Sequence, residues 1–467
     1  MLKRELNNSF KSILRIGMMI ALCSCALVAQ GKNPLILIPG LSGSELRHSE
    51  TKERVWFKTF KSKSEDLRLP LLADPTKMSD KLVATDVLRE VKISVFPGYD
   101  IYGGFIKAME IRGGYKEEKF DAPTADGFQD SLYVFAYDWR LDNVVNARLL
   151  VQKLERLRKH FKKPNLKFDI VAHSMGGIIS RYAAMYGDAD VLGGNGKLQP
   201  TWVGARYFDN IILIGTPNEG AVNSLNSLVN GFSLGGLRLD LPFVQDTSKY
   251  LVFSVPSSFQ LLPAPGSLRA FGDRLEPIEI DLYDTKTWKK YGWDVRDDKD
   301  FPSEFSLAEQ KNAGQYFANA LARAKRLHEA LAAANGKSVG VEFYTVGCDC
   351  KKETPDGVVI YRDAKADKWK TQFKAKGFTR SDGYKFTDDD LKKVIYSPGD
   401  GIVALRSLEA KTQSERAGTA SIYDAQEIKL ICQDHNKQAT NSIIQDYVIK
   451  VLAGRVTVPK PVATNKN

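Results

Sequence analysis

The chain has 467 residues, room for one large domain with insertions or for two to three smaller ones. Its 43% hydrophobic and 10% aromatic content can bury a sizeable core, which excludes a mostly disordered, collagen-like or low-complexity protein. Lys and Arg exceed Asp and Glu by 11, but the excess is spread along the chain, so no nucleic-acid-binding tail is expected; most of these charges read as solvated faces, with an anionic partner surface such as phospholipid as the other reading.

In chain order, Lys3, Arg4, Lys11 and Arg15 precede the apolar stretch Ile16 to Ala29, which is short for a membrane span. A basic leader, a short apolar run and small residues make residues 1–29 a secretory signal. Two cleavage readings compete. Leu22-Cys23-Ser24-Cys25 resembles a bacterial lipoprotein signal, cleaved before Cys25 so that this cysteine is lipidated. Ordinary cleavage near Ala29 would instead release a soluble protein. Either reading exports the mature chain to the cell envelope or beyond it.

Past the leader, short apolar strands alternate with amphipathic stretches, the pattern of a parallel α/β sheet. Strands are expected at Pro34–Ile38, Ser131–Tyr137, Leu166–Val171, Ile211–Gly215 and Val341–Val346, with a short one at Ile428–Ile431. Helical spacing runs from Val144 to Phe161, with Leu149, Leu150, Leu154 and Leu157 on one face, and again from Gly177 to Tyr186. No repeat of solenoid or propeller period is present. In the body of the chain, Cys348 and Cys350 are too close in sequence to bridge each other easily. One of them can pair with Cys432 in an oxidising space, leaving one thiol over; free thiols are the alternative. With no His-rich segment or second Cys pair beside them, a metal site is not expected.

The chemistry begins at Ala172-His173-Ser174-Met175-Gly176-Gly177. A serine hydroxyl is a weak nucleophile unless a base takes its proton and a sharp turn presents it. Small flanking residues between a strand and a helix supply that turn; the common pattern begins with Gly, and Ala172 departs from it by one methyl. The chain has five histidines. His173 adjoins the serine, and His48 and His160 precede it, whereas this fold class runs in the order Ser, acid, His. His328 lies in the basic stretch Arg323 to His328 and reads as a solvated helix residue, which leaves His435 as the base. For the acid, Asp400 sits between Gly399 and Gly401 after a strand, in a turn that glycine makes tight. Asp388, Asp389, Asp390 and Asp349 compete with it, and a plain Asp-Gly turn is the bland alternative. Oxyanion donors are expected from the backbone amides of Met175, just after the serine, and Leu41, in the loop Pro39 to Gly43.

Six segments in order resemble the lecithin:cholesterol acyltransferase family, which includes lysosomal phospholipase A and related acyltransferases. They are Ile38 to Leu46, Ala136 to Arg140, Ala172 to Gly177, Gly215 to Ala221, Gly399 to Val403 and Asp434-His435. The resemblance implies an α/β-hydrolase, a mostly parallel central sheet flanked by helices, with lid, membrane-binding and cap insertions. It implies a Ser174, Asp400 and His435 triad with Leu41 and Met175 at the oxyanion, and no metal or cofactor. Members hydrolyse acyl esters of phospholipids or pass the acyl group to another hydroxyl. Two departures stand out: animal members close a lid loop with a disulfide, whereas residues 42–130 here hold no cysteine, and a segment rich in Lys and Asp is added between Cys350 and Tyr396.

On this basis residues 33–453 form the hydrolase domain, with insertions at about 42–130 and 221–340, and residues 454–467 form a loose tail. Trp56, Phe57 and Phe60 alternate with Arg54, Lys58 and Lys61, a pattern that fits contact with anionic lipid or the core of a subdomain. In the cap, Phe243, Val244, Phe253, Phe259, Leu261, Leu262, Trp288 and Trp293 either line an acyl pocket or form cap core. The segment between Cys350 and Tyr396 reads as an excursion ahead of the acid. Asp138 and Trp139 are expected to be structural. The expected function is therefore that of an exported serine acyl hydrolase or acyltransferase on lipid esters. Its partners are a membrane lipid or other acyl ester, an alcohol acceptor, and a membrane surface held peripherally or through a lipid anchor. A triacylglycerol lipase or short-chain esterase is the enzymatic alternative; a non-catalytic envelope binding protein on the same fold is the alternative of another class.

Overall fold

A computed structural model describes residues 32–57, 67–91, 98–194, 196, 198–233, 246–333, 340–363, 367–418 and 425–454. The leader with Cys25, together with Phe60, Phe243, Val244 and the tail beyond Gly454, lies outside the described residues. The described residues from Asn33 onward belong to one compact unit. None of its described helices is long and apolar enough to cross a membrane.

Seven strands form the central sheet: β1 (Leu35–Ile38), β2 (Lys116–Glu118), β3 (Ser131–Val134), β4 (Phe168–His173), β5 (Phe208–Ile214), β6 (Glu342–Gly347) and β7 (Ala425–Leu430). Their spatial order is β7-β6-β5-β4-β1-β3-β2, and every pairing is parallel. Parallel sheets are covered on both faces, so the central strands carry unbroken apolar runs. Along β1 the side chains alternate between two cores. Ile36 and Ile38 join Ile170, Ala172, Ile211 and Leu213 under α2 (Asn143–His160) and α3 (Met175–Tyr186). Leu35 and Leu37 join Val171, Ile212 and Ile214 under α1 (Gly103–Ile111) and α5 (Ser442–Leu452). This is the α/β-hydrolase arrangement, and it places the C-terminal ends of β1 and β4 side by side, with those of β5, β6 and β7 following along the same edge.

Three excursions leave this sheet. In the first, Ser44–His48 lies between Arg54–Trp56 and Leu82–Val87 in an antiparallel sheet. Trp56 is only 2% exposed, its Nε1 donates to the Ser42 carbonyl at 2.8 Å, and its ring centroid is 5.3 Å from that of Trp139. Lipid contact through Trp56 is therefore corrected: the indole is subdomain core, where burying an aromatic and satisfying its N–H both favour it. Phe57 packs half-buried on the same core, and Arg54 is ion-paired with Glu45. Arg140, its side chain fully buried, joins this excursion to the sheet by clamping Asp80 at 2.6 and 2.8 Å and Asp138 at 2.7 and 3.0 Å.

In the second excursion, the described residues between β5 and β6 pack around the 26-residue helix α4 (Leu307–Ala332), which Ser306 and Glu309 cap reciprocally. Phe253, Phe259, Trp288 and Trp293 pack with Tyr316 and Phe317 of α4 into a separate apolar cluster. Phe253, Phe259 and Trp288 are cap core rather than an open lining, and Trp293, buried in the same cluster, also edges a cleft against the third excursion. His328 overturns the solvated-helix expectation: it is 1% exposed, on the same face as Ala324, Leu327 and Leu331, with its ring against Tyr283. Burial pushes its pKa down to about 4.

The third excursion, after Cys350, is built onto the cap. Gly357–Asp363 pairs in parallel with Arg269–Phe271 of the cap and antiparallel with Lys368–Gln372. Its returning strand, Tyr396–Gly399, pairs with Lys351–Pro355 and delivers the chain to Asp400.

Candidate active site

Ser174 sits between the last residue of β4 and the first of α3, with φ 54° and ψ −124°. A non-glycine residue held there costs of order 1–3 kcal/mol, and here the strain turns the side chain out of the crossing between strand and helix. Ala172 leaves no gap: it is fully buried, in register with Ile38 on one side and Leu213 on the other. The loop after β1 lies directly against the serine. A Cβ built on Gly40 would come 2.9 Å from Ser174 Cβ, so only glycine fits this approach.

His435 follows β7 by a short turn and opens a single 3₁₀ turn, with the last helix beginning at Ser442. Its Nε2 is 2.9 Å from Ser174 Oγ, and its Nδ1 is 2.7 Å from Asp400 Oδ2. A carboxylate only accepts, so Nδ1 carries the proton and Nε2 accepts the serine hydroxyl. Asp400 Oδ1 is filled by the amides of Ile402 at 3.0 Å and Val403 at 2.7 Å, and Gln438 Nε2 donates to Oδ2 at 3.2 Å. Gly401, at φ 93°, makes the turn that folds these amides back. Asp400 and His435 are 3% and 5% exposed, a dry setting in which the ion pair formed on proton transfer is strengthened.

Met175 is the first residue of α3, where a helix leaves its amides without intrahelical acceptors. Leu41 follows Gly40 in the loop against the serine, and its amide has no hydrogen-bond acceptor among the described residues. Met175 thus adjoins Ser174 in the chain, and Leu41 adjoins Gly40, the residue that lies against it. Of the other histidines, His160 is exposed at the end of α2, and His48 accepts the amides of Glu50 and Thr51. Asp388, Asp389 and Asp390 form the first turn of the helix Asp388–Ile395, where Asp390 and Thr387 cap each other and Asp389 pairs with Lys392. Two residues in the hydrogen-bonded surroundings of the site were not anticipated, Gln438 and Tyr102, whose hydroxyl accepts the Gly40 amide at 2.9 Å.

The turn carrying His435 is fastened to the end of β6. Cys432 is disulfide-bonded to Cys350, Lys351 pairs with Asp434 at 3.0 Å, and the Ile431 amide donates to the Gly347 carbonyl at 2.8 Å. Cys348 is the thiol left over, buried with its Sγ 3.3 Å from that of Cys350. A cleft of about 450 Å³ lined by Tyr291, Trp293, Trp369, Lys289 and Lys290 lies between the cap and the third excursion, and no residue of the Ser174 group lines it.

Comparison with known proteins agrees with this architecture. The structure of the Tle4–Tli4 complex aligns with a TM-score of 0.55 and 14% identity, covering 90% of this chain and 97% of that one. Protein YJR098C of Saccharomyces cerevisiae is 25% identical over 261 residues, which are 55% of this chain and 33% of that protein, so the chain spans about a third of this relative's length. The family model for lecithin:cholesterol acyltransferase matches residues 82–324, a stretch that includes Ser174 and ends before Asp400 and His435. That match covers more than half of the 467 residues, and the chain belongs to the lecithin:cholesterol acyltransferase family.

Proposed function

We propose that this chain is a serine-dependent acyl-ester hydrolase or acyltransferase acting on lipid esters, with Ser174 as nucleophile, His435 as general base and acid, and Asp400 as the group that orients His435. The observation that carries the reading is the unbroken contact from Ser174 Oγ through His435 to Asp400, at 2.9 and 2.7 Å. Family membership supports the lipid-ester substrate class.

His435 Nε2 takes the hydroxyl proton as Ser174 Oγ bonds to the ester carbonyl carbon. The carbonyl oxygen becomes an oxyanion, held by the amides of Leu41 and Met175, each such donor being worth ~10²–10³ in rate. His435 then returns the proton to the departing alcohol, a lysolipid when the substrate is a phospholipid, and leaves the acyl group on Ser174. Water or a second alcohol, deprotonated by His435 in its turn, attacks the acyl-enzyme and frees Ser174. Asp400 keeps its charge throughout and stabilises the imidazolium. The choice between hydrolysis and transfer rests with the acceptor that reaches the acyl-enzyme.

Export to the cell envelope belongs to the same reading. The basic and apolar leader supports it, as does the Cys350–Cys432 disulfide, a bond that persists in oxidising compartments. The mass of the mature N-terminus distinguishes lipidated Cys25 from cleavage near Ala29. For the activity, purified protein is incubated with phospholipid vesicles, with and without a long-chain alcohol, and the lipids are analysed by mass spectrometry. Released fatty acid and lysolipid, or alcohol ester, are the expected products. Turnover of a soluble short ester with intact phospholipid would favour a short-chain esterase, and no turnover of either would favour a non-catalytic binding role.

A further inference from the structure

The acyl-transfer scheme leaves one buried imidazole unused. His173, the last residue of β4, is 7% exposed. Its Nε2 is 3.1 Å from the main-chain oxygen of His435, and its Nδ1 is 2.8 Å from the Tyr102 hydroxyl. That hydroxyl is in turn 2.9 Å from the Gly40 amide.

The protons in this chain have one consistent placement. The His435 carbonyl can only accept, so His173 carries its proton on Nε2. Nδ1 is then a lone pair and accepts the Tyr102 O–H, and the Tyr102 oxygen accepts the Gly40 N–H. Each polar group of this relay is then satisfied, and removal of one link leaves an orphan that costs ~1–3 kcal/mol. One end of the chain is the residue before Leu41, at the oxyanion loop; the other end is the main chain of the base itself. His173 also lies under the base, with ring centroids 4.9 Å apart. A charged ring there would oppose the imidazolium that His435 must become. Burial first, and the nearby His435 second, push the His173 pKa down to about 3, which keeps the lower ring neutral.

We propose that Tyr102 and His173 are positioning residues that tie the Gly40–Leu41 amide loop to the main chain of His435, holding oxyanion donors and general base in mutual register. This rests on the Ser174, His435 and Asp400 reading given above. Preorganised donors act only when they face the place where charge develops, and a displacement of about 1 Å costs up to ~10²-fold.

The test uses Tyr102→Phe, which cuts the link to Gly40, His173→Asn, whose amide oxygen can still meet Tyr102 but whose short side chain drops the His435 carbonyl, and the double variant. For each, kcat and KM on a soluble ester, the rate of fluorophosphonate labelling and the thermal melt are measured. Each single variant is expected to lose ~10–100-fold in kcat, with KM within about twofold. The double variant is expected to lose no more than the worse single one, because either cut already parts the two ends. Unchanged kcat, a loss confined to KM, or losses that multiply in the double variant would each overturn the proposal. Should one variant not fold, the other carries the same test; failure of both to melt cooperatively assigns the chain to folding and overturns it as well. Absence of wild-type labelling at Ser174 would defeat the underlying reading, whereas labelled wild type with undisturbed variants defeats this proposal alone.

Discussion

Asp400 and His435 are joined twice: the His435 amide donates to the Asp400 carbonyl at 3.0 Å, and the His435 imidazole meets the Asp400 carboxylate at 2.7 Å. The main-chain bond fixes where the histidine stands, and the side-chain bond fixes which tautomer it adopts. Because the two are separate, the second can be removed with the first left in place.

Asp400→Asn does this. Two amides, from Ile402 and Val403, point at Oδ1, so the asparagine oxygen must stay there and its NH₂ must face His435 Nδ1. Nδ1 then becomes the acceptor and Nε2 carries the proton, presenting a donor to Ser174 in place of a base. We predict a kcat loss of about 10³–10⁴-fold with a near-unchanged melt. Steady-state kinetics on a soluble ester check it, and a loss under tenfold would contradict it.

The buried histidines predict an acid limit to stability. His173 and His328 have pKa values pushed down by burial to about 3 and about 4, against 6.5 for an unshifted histidine. Below pH 6.5 the unfolded chain therefore binds protons that the folded chain refuses, and stability falls as pH falls, by about 1.4 kcal/mol per unit for each histidine. Asp169 works the other way: burial raises its pKa from 3.8 to about 6, so over that span its contribution grows as pH falls. Glu219 and Glu409, whose carboxyl pKa values burial also raises, act in the same sense as Asp169, so the histidine contribution is read by substitution. His328→Phe isolates one term, and in urea unfolding its stability relative to the wild type should rise steadily from pH 6.5 to pH 4.5. A difference that does not vary with pH would contradict this.

The disulfide predicts a stability change with a known scale. Cys350 and Cys432 are 82 residues apart, a loop for which chain entropy gives ~4–5 kcal/mol and typical measured values are 2–4. Cys350→Ser with Cys432→Ser should lower the unfolding free energy by about 2–4 kcal/mol. The Asp400–His435 main-chain bond remains, so activity should survive below the melt. Equilibrium unfolding of the double variant beside the oxidised wild type measures it. Cys348, at 2% exposure, should resist alkylation until the chain unfolds.

Much of this was legible from residues alone, for identifiable reasons. The run Leu35 to Ile38 is apolar on both faces, which only a strand inside a parallel sheet requires. Ser174 was readable because a strand, small neighbours and a helix surround it, and His435 because few histidines compete. By contrast β2, Lys116-Glu117-Glu118, carries no apolar signal; its place is decided by main-chain pairing to Ser131, Leu132 and Tyr133 at a sheet edge, where charge is favoured. His328 was hidden by its basic neighbours, although its spacing from Ala324 and Leu331 marked the buried face. One of those neighbours, Arg323, is itself held by Asp142 and Asp190. Tyr102 had no local signal at all, since its partner His173 is 71 residues away in sequence.

The central claim is that Ser174 is the residue that receives the acyl group. A fluorophosphonate probe reports it most directly, applied to the folded wild type and to Ser174→Ala, with the adduct located by peptide mass spectrometry. The wild type should carry one adduct, on Ser174, and lose its esterase activity in step with labelling, while the variant takes up neither probe nor ester. Undiminished labelling of the variant, or none in a folded wild type, would contradict it.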